Sequence, residues 1–392
     1  MSAARPLDIF IIAGEVSGDH LGGALMACLR ELQGGAVQFR GVGGARMTEQ
    51  GLSSLFPMQD IAVMGFLPVL ARLPQLIARI NRTASAVIEN PPDILIIIDS
   101  PDFTHRVAKK VRKRLPELKV INYVSPTVWA WRPGRARKMT RYVDHVLALL
   151  PFEPQAHRQL GGPACTYVGH SLIGQMHEFD PRAEDIARRA AQPPLLAVLP
   201  GSRRSEIARL LDVFGQTLDT LASQGIAFEA VLPAVTHLEA DIKAGIANWR
   251  TPVRLVQGES EKHLAFRQAR AALAASGTVT LELGLAQTPA VVAYKVSAIE
   301  KMILSALVKT RWASLTNIIL EREVYPEFLQ EAATPQALAA SLRKLLEDTP
   351  QRAEQMAALG ELRARMLLPD GETPAHRAAQ AVLDIWQGKE PK

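Results

Sequence analysis

Short, almost purely apolar runs that end in loops recur along this chain, and they restrict its fold more than any other feature. LDIFIIAG, VQFRGVGG, DILIIIDS, KVINYVS and VDHVLALLP come first, separated by stretches of helical character such as Leu21–Leu32 and Phe103–Arg114. Strands that lack polar alternation are buried on both faces, as in a parallel sheet covered by helices. The pattern restarts after residue 193 with LLAVLPGS, FEAVLPA, VRLVQGE, AALAASGT and AVVAYK. Two series of βα units predict an α/β protein of two doubly wound, Rossmann-like domains, and 392 residues is long enough for two cores. The expected boundaries are 1–170 and 171–365, with YVGHSLIG, Tyr167–Gly174, as the linker. Ligands of such folds sit at the carboxyl ends of the strands, so the expected site is a central cleft faced by both domains.

Charge is distributed unevenly. Residues 1–170 carry 20 Lys and Arg against 13 Asp and Glu, and the remainder is nearly balanced at 25 against 26. A basic first domain fits an anionic surface or substrate. No nucleic-acid motif accompanies it, and no nucleic-acid partner is expected. Two cysteines without metal or redox spacing point to a reducing compartment, and nine histidines without an HExxH or a close pair predict no metal site. No secretory signal is visible, and the longest uncharged apolar run, Ile61–Ala71, is too short to span a bilayer and contains Pro68. The expected location is the cytosol, or a membrane surface approached from it.

Four turns carry candidate chemistry. GEVSGDHLGG follows the first strand, but its glycines match neither GxGxxG nor a P-loop. Its carboxylates, Glu15 and Asp19, would repel phosphate and suit amides or sugar hydroxyls; the alternative is that Asp19 is a capping residue. In LPGSRRSE, a buried strand ends in Gly201 and Ser202, and Arg203 and Arg204 meet a predicted helix start, which suits a diphosphate. The alternative is two solvated arginines. In ASGTVTLELG, Ser276, Gly277 and Thr278 form a second anion turn, with Glu282 one helical turn on to hold a ribose diol. Together these two turns describe a nucleotide-diphosphate sugar. DILIIIDS ends in Asp99, where desolvation would raise the pKa of a usable base; a purely structural Asp99, with Asp102 capping the next helix, is the alternative.

Two further segments read as surface-active. YVSPTVWAWRPGRARKMTR sets Trp129 and Trp131 beside Arg132, Arg135, Arg137, Lys138 and Arg141, as at a membrane boundary or a phosphorylated lipid, or with one tryptophan packed in the core. FLPVLARLPQLIARINR places Leu73, Leu76, Ile77 and Ile80 at helical spacing among arginines, with Pro68 and Pro74 expected to break it into short pieces and leave an apolar lip over Phe66–Ile80. Most such stripes face a core.

The ordered set GEVSGDHLGG, GVGGARM, IDSPDF, YVSPTVWAWR, VGHSL, LPGSRRSEI, ASGTVTLE, VAYKVS, SLTNIIL and PEFLQEAATP closely resembles the lipid-A-disaccharide synthase family of Gram-negative bacteria, almost end to end. That resemblance implies the GT-B fold, with an acceptor- and membrane-facing first domain, a UDP-sugar-binding second domain, and residues 366–392 crossing back to the first. It implies inverting, metal-independent transfer of 2,3-diacylglucosamine from UDP to 2,3-diacylglucosamine 1-phosphate, giving a β-1,6-linked disaccharide 1-phosphate in lipid A biosynthesis. No cofactor is expected. Partners would be the two lipid substrates and the anionic lipids of the inner membrane, on its cytoplasmic face; oligomeric state stays open.

By the same resemblance Asp99 is the base, with Asp19 and His20 as runners-up. Arg203, Gly201 and Ser202 hold the diphosphate from one side, and Ser276, Gly277 and Thr278 from the other. Glu282 takes the ribose, and Asn317 and Gln330 are donor-side contacts. Glu15, Ser17, Gly18 and Asp19 line the acceptor pocket, so the first turn would hold sugar. Ser100, Arg204 and Thr316 depart from the family pattern, where alanine, a small residue and proline are common. Two other readings are a UDP-sugar enzyme of the same fold with a soluble substrate, epimerase-like or peptidoglycan-type, and a non-catalytic membrane scaffold.

Overall fold

The computed structural model describes residues 5–61, 72–297, 300–301 and 310–391. They form two compact units: the residues up to Gly174 together with those from Leu367 onward, and Gln175–Met366.

The first unit is built on a wholly parallel seven-stranded sheet. Its strands are β1 (Leu7–Ala13), β2 (Val37–Val42), β3 (Ser53–Ser54), β4 (Ile94–Ile98), β5 (Lys119–Tyr123), β6 (His145–Ala148) and β7 (Ala164–Tyr167). Their order is β3-β2-β1-β4-β5-β6-β7, with Ile9 opposite Ile94 and Ala13 opposite Ile98. Alternation across the pleat sends successive residues of β1 to opposite faces. Ile9, Ile11 and Ala13 share a core with Leu25 and Leu29 of the Val16–Leu32 helix and with Ala378, Ala381, Val382 and Ile385. Phe10 and Ile12 pack instead with Ile80, Phe103 and Val107. Both faces are covered, so β1 and β4 can be apolar throughout. The Pro374–Trp386 helix, which starts on Thr373 accepting the amide of His376, thus completes the first unit against Val16–Leu32.

The second unit has a parallel six-stranded sheet of β8 (Leu195–Leu199), β9 (Glu229–Ala234), β10 (Val253–Gln257), β11 (Ala271–Ala275), β12 (Ala290–Tyr294) and β13 (Glu327–Leu329). The order is β10-β9-β8-β11-β12-β13. Leu196 and Val198 of β8 pack with Leu210, Phe214 and Leu218 of the Arg204–Ser223 helix and with Leu338 and Leu342 of Pro335–Leu346.

Each sheet reverses its strand order at one place, between β1 and β4 in the first unit and between β8 and β11 in the second. Such reversal points open a crevice beyond the carboxyl ends of the strands. The loops that follow those four strands begin at Gly14, Asp99, Pro200 and Ser276, which are the four turns singled out in the sequence.

Pro74 does not interrupt the described part of the basic amphipathic segment, and Pro68 lies outside the described residues. Leu73–Glu89 is one 17-residue helix with Pro74 in its first turn. A missing N–H is harmless there, because the first amides of a helix have no intrahelical partner. The apolar stripe divides: Ile80 is buried and Leu76 packs against the core, whereas Leu73 and Ile77 are 40% and 47% exposed. The earlier part of the lip, 62–71, lies outside the described residues. No helix among the described residues is long and apolar enough to cross a membrane.

Candidate active site

In the first unit, the β1 and β4 loops meet. Asp99 and Ser100 both adopt left-handed backbone, with φ of 50° and 43°. Non-glycine residues rarely take this conformation, and consecutive pairs are rarer still. Three bonds hold the pair: the Asp99 amide donates to the Tyr123 carbonyl at 3.1 Å, its Oδ1 accepts the Ser100 amide at 2.8 Å, and its carbonyl accepts the Thr104 hydroxyl at 2.7 Å. Ser100 then starts the Pro101–Arg112 helix and donates from Oγ to Glu15 Oε1 at 3.3 Å. Gly14 permits that approach, since a Cβ there would collide with the Ser100 side chain. Glu15, Ser100 and Asp99 are therefore brought together. Asp99 is half-buried.

Asp19 is placed differently from the sugar-facing role expected of it. It is buried, and its carboxylate accepts the amides of Gly44, Arg46 and Met47 at 2.7, 2.9 and 3.1 Å. The side chain thus caps the Ala45–Glu49 helix across the domain core, and its oxygens are occupied. Gly18 is buried beneath Ala13 and Ile98, while Ser17 and His20 are exposed on the first turn.

In the second unit, the β8 loop forms an anion nest that already holds an anion. Glu206 Oε2 accepts the amides of Ser202 and Arg203 at 3.1 and 3.3 Å, and Oε1 accepts from the Arg203 guanidinium at 2.9 Å. Gly201, at φ +117°, leaves the space: a Cβ there would lie 2.6 Å from the Glu206 carboxylate. Arg203 is 78% exposed, whereas Arg204 pairs with Asp241 at 3.0 Å. Arg203 is the guanidinium that belongs to the nest. Burial and then the Glu206 charge raise the phenol pKa of Tyr294, at the end of β12, which puts that residue in the field of the same nest.

The β11 loop carries Gly277 and Thr278 exposed, with open space around Gly277. Ser276 is committed elsewhere: its hydroxyl donates to the Ala313 carbonyl at 2.7 Å and its amide to Ala293. Glu282 pairs with Lys262 at 3.1 Å. Burial lowers the Lys262 pKa, but attraction from Glu282 and Glu259 overcomes it and leaves the ammonium above its ordinary value. Lys262 was not singled out in the sequence, because a lysine on a charged helix carries no signal of its own.

Asn317, expected as a donor-side contact, has its side chain committed to neighbouring backbone and Glu327. It is fully buried; Nδ2 donates to the Tyr325 carbonyl and to Glu327 Oε1, and Oδ1 accepts the amides of Val324 and Tyr325, all at 2.8 Å. Glu327 in turn accepts the amides of Ala313 and Ser314. This chain of bonds runs from Asn317 to the carbonyl that fixes Ser276, so Asn317 positions the anion turn from a distance. Gln330, with φ of 55°, accepts the Val296 amide at 3.3 Å.

Trp129 also turns inward. Its Nε1 donates to Glu153 at 3.1 Å and its ring meets Phe152 edge-on, which leaves Trp131, stacked under Arg132, as the tryptophan of the basic run. Burial pushes the Glu153 carboxyl up to about 7, against hydrogen bonds from Leu150, Trp129 and Leu149. Nearby His157 Nε2 meets Ser125 Oγ at 2.9 Å, and burial lowers its pKa to about 4. This cluster was missed because EPQAHRQ reads as a polar surface helix; the i, i+4 spacing of Glu153 and His157 was the available signal. Among the described residues, no group of three or more His, Cys, Asp or Glu could hold a metal ion.

Two parallel α/β units, each with its loops gathered at a strand-order reversal, define a protein of GT-B fold. Solved structures agree on the fold: a UDP-N-acetylglucosamine 2-epimerase from Listeria monocytogenes aligns with a TM-score of 0.61 at 12% identity, over 99% of this chain and 98% of its own. MurG from Acinetobacter baumannii aligns with a TM-score of 0.60 at 14% identity, over 98% of this chain and 100% of its own. Sequence comparison is more specific, since the family profile of lipid-A-disaccharide synthetase matches residues 9–380. Lipid-A-disaccharide synthases from Rhodopseudomonas palustris (strain HaA2) and Nitrobacter hamburgensis are 52% and 53% identical, over 96% of this chain and 96% and 95% of their own. The chain belongs to the lipid-A-disaccharide synthase family, and its activity is that of a glycosyltransferase.

Proposed function

We propose that the chain transfers 2,3-diacylglucosamine from its UDP derivative to the 6-hydroxyl of 2,3-diacylglucosamine 1-phosphate, with the donor nucleotide on the second unit and the acceptor on the first. The observation that carries this reading is the nest at Gly201–Arg203, whose amides and guanidinium already receive the two oxygens of Glu206. A diphosphate offers the same oxygens with more charge. The nucleotide therefore binds by displacing Glu206 from the nest, with Thr278 and the open approach at Gly277 on the other side of the reversal point. Glu282 exchanges its pairing with Lys262 for the ribose hydroxyls.

Transfer is one in-line displacement. Asp99 accepts the proton of the 6-hydroxyl as that oxygen bonds to C1 of the donor sugar, and the C1–O bond to UDP breaks with inversion at C1. Glu15, linked to Ser100, lines the acceptor side. Arg203 and the amides beside it stabilise the negative charge that accumulates on the departing diphosphate. The same groups supply the charge neutralisation that lets the reaction run without a metal ion. Leu73 and Ile77, exposed beside Arg72 and Arg82, rest the first unit on an anionic bilayer from which both lipid substrates are drawn.

The test is incubation of purified protein with both lipid substrates in detergent and detection of the disaccharide 1-phosphate and UDP by mass spectrometry. Product confirms the reading. No product, with UDP still bound, transfers the assignment to another UDP-sugar reaction on the same fold.

A further inference from the structure

The basic run after Trp131 is used by neither the nucleotide site nor the base. It folds against the Pro101–Arg112 helix and lines, with it, an open cavity of about 730 Å³. Five cations line this cavity: Arg106, Lys109, Arg132, Arg135 and Lys138. The one carboxylate in its wall, Asp102, is 94% exposed and stands 3.7 Å from Arg135. Like charges so gathered repel one another. Desolvation lowers the Lys109 pKa, and Arg135, Arg106 and Lys138 lower it further. A run of surface cations ordinarily spreads into solvent; this one is concave and has a built floor. Tyr142 is 4% exposed at the base of the cavity, with the Lys109 ammonium 4.8 Å above its ring.

The floor is held rigidly. Asn122 donates from Nδ2 to the Val124 carbonyl, so its Oδ1 accepts from His105 Nε2 at 3.1 Å. His105 Nδ1 then accepts the Tyr142 hydroxyl at 3.2 Å. At the rim, Arg132 adopts φ of 51° and stacks 4.4 Å from the centre of the Trp131 ring, a strained backbone that fixes a guanidinium at the cavity.

Position matters as much as charge. Pro101 and Asp102 line the cavity, so it opens two residues from Asp99, within about 7 Å of extended chain. In the acceptor of the proposed reaction, the phosphate on C1 and the reacting hydroxyl on C6 flank the same ring oxygen, C1 bonded to it directly and C6 carried on C5, so the two groups are held a short, fixed distance apart. We propose that this cavity binds a phosphomonoester, and that in the reaction it holds the 1-phosphate of the acceptor and so directs the 6-hydroxyl to Asp99. This rests on the acceptor assigned above.

The test pairs Lys109→Gln with Lys138→Gln in one variant. Lys110→Gln, on the same helix but outside the cavity lining, is the control. Acceptor KM is measured with 2,3-diacylglucosamine 1-phosphate and with the same lipid lacking phosphate. Loss of two charge-assisted contacts raises KM for the phosphorylated acceptor roughly 10²- to 10⁴-fold. The KM for the UDP-sugar and the kcat/KM for the phosphate-free acceptor stay at wild-type values. An unchanged acceptor KM, with lost binding to phosphatidylglycerol vesicles, overturns the assignment in favour of a lipid headgroup.

A separate arm titrates glucosamine 1-phosphate by calorimetry and requires no turnover. If wild-type protein makes no disaccharide yet binds this compound, and the double variant does not, the phosphomonoester site stands and the proposed reaction falls. If wild-type protein does not bind it and acceptor KM is indifferent to both lysines, the site itself is refuted.

Discussion

Replacing Glu206 by alanine should tighten UDP binding while weakening the fold. The carboxylate occupies the nest through two amide bonds and one guanidinium bond, so in the proposed binding mode UDP enters only at the cost of removing it. The capping contribution of such a side chain is about 1 kcal/mol, and an ion pair to an arginine as exposed as Arg203 adds about 0–1 kcal/mol. Displacement therefore costs about 1–2 kcal/mol, a penalty of roughly 5- to 30-fold on affinity. Glu206→Ala removes that penalty, and UDP affinity by titration calorimetry should rise by about this factor. The melting temperature should fall, because the Arg204–Ser223 helix loses its cap. Arg203→Ala acts in the opposite sense and should weaken UDP by about 1.5–3 kcal/mol, the range for a hydrogen bond to a charged group. Unchanged or weaker UDP binding in Glu206→Ala would refute the idea that the diphosphate takes the place of this carboxylate.

Other substitutions separate surface, scaffold and pH effects. Leu73→Ser with Ile77→Ser should reduce co-sedimentation with anionic liposomes and leave stability nearly unchanged, since both side chains are exposed; undiminished binding would move the membrane contact elsewhere. Asn317→Ala strands several buried backbone groups, each costing about 1–3 kcal/mol, so urea denaturation should show a loss of at least that size. Burial holds His105, His145 and His157 near pKa 4, below their unfolded value of 6.5. The unfolded chain therefore binds more protons between those limits, and the stability these groups contribute above pH 6.5 should be lost as pH falls towards 4. Urea midpoints of a His145→Gln variant should be less sensitive to pH than wild type across this window; equal sensitivity would exclude His145 as a contributor.

The strands that fill the two sheets were legible because a strand covered on both faces must be apolar at every position, as Ile94–Ile98 is. The edge strands Ser53–Ser54, Ala164–Tyr167 and Glu327–Leu329 were not, being short and polar enough to pass for loop. Tyr167, read as linker, is the last residue of one of them. The four turns were found because a glycine or an acid at the end of a buried strand is unusual. What each side chain does there was harder to read. Asp19, Ser276 and Asn317 all look like ligand contacts, yet each spends polar atoms on backbone distant in sequence, as Asp19 does at Gly44 and Asn317 at Val324. Glu206 lay in the quoted motif but was passed over, because a carboxylate in an anion site makes sense only once it is seen to be the anion.

The central claim is that Asp99 removes the proton of the acceptor hydroxyl on this fold. Its most direct test is the steady-state rate of disaccharide formation by wild type and Asp99→Ala, with chelator present and both substrates saturating. The account predicts turnover by the wild type and a fall in kcat of roughly 10²- to 10⁴-fold in the variant, the contribution of a general base, with UDP affinity unchanged. A variant that retains kcat within a fewfold of wild type would contradict it.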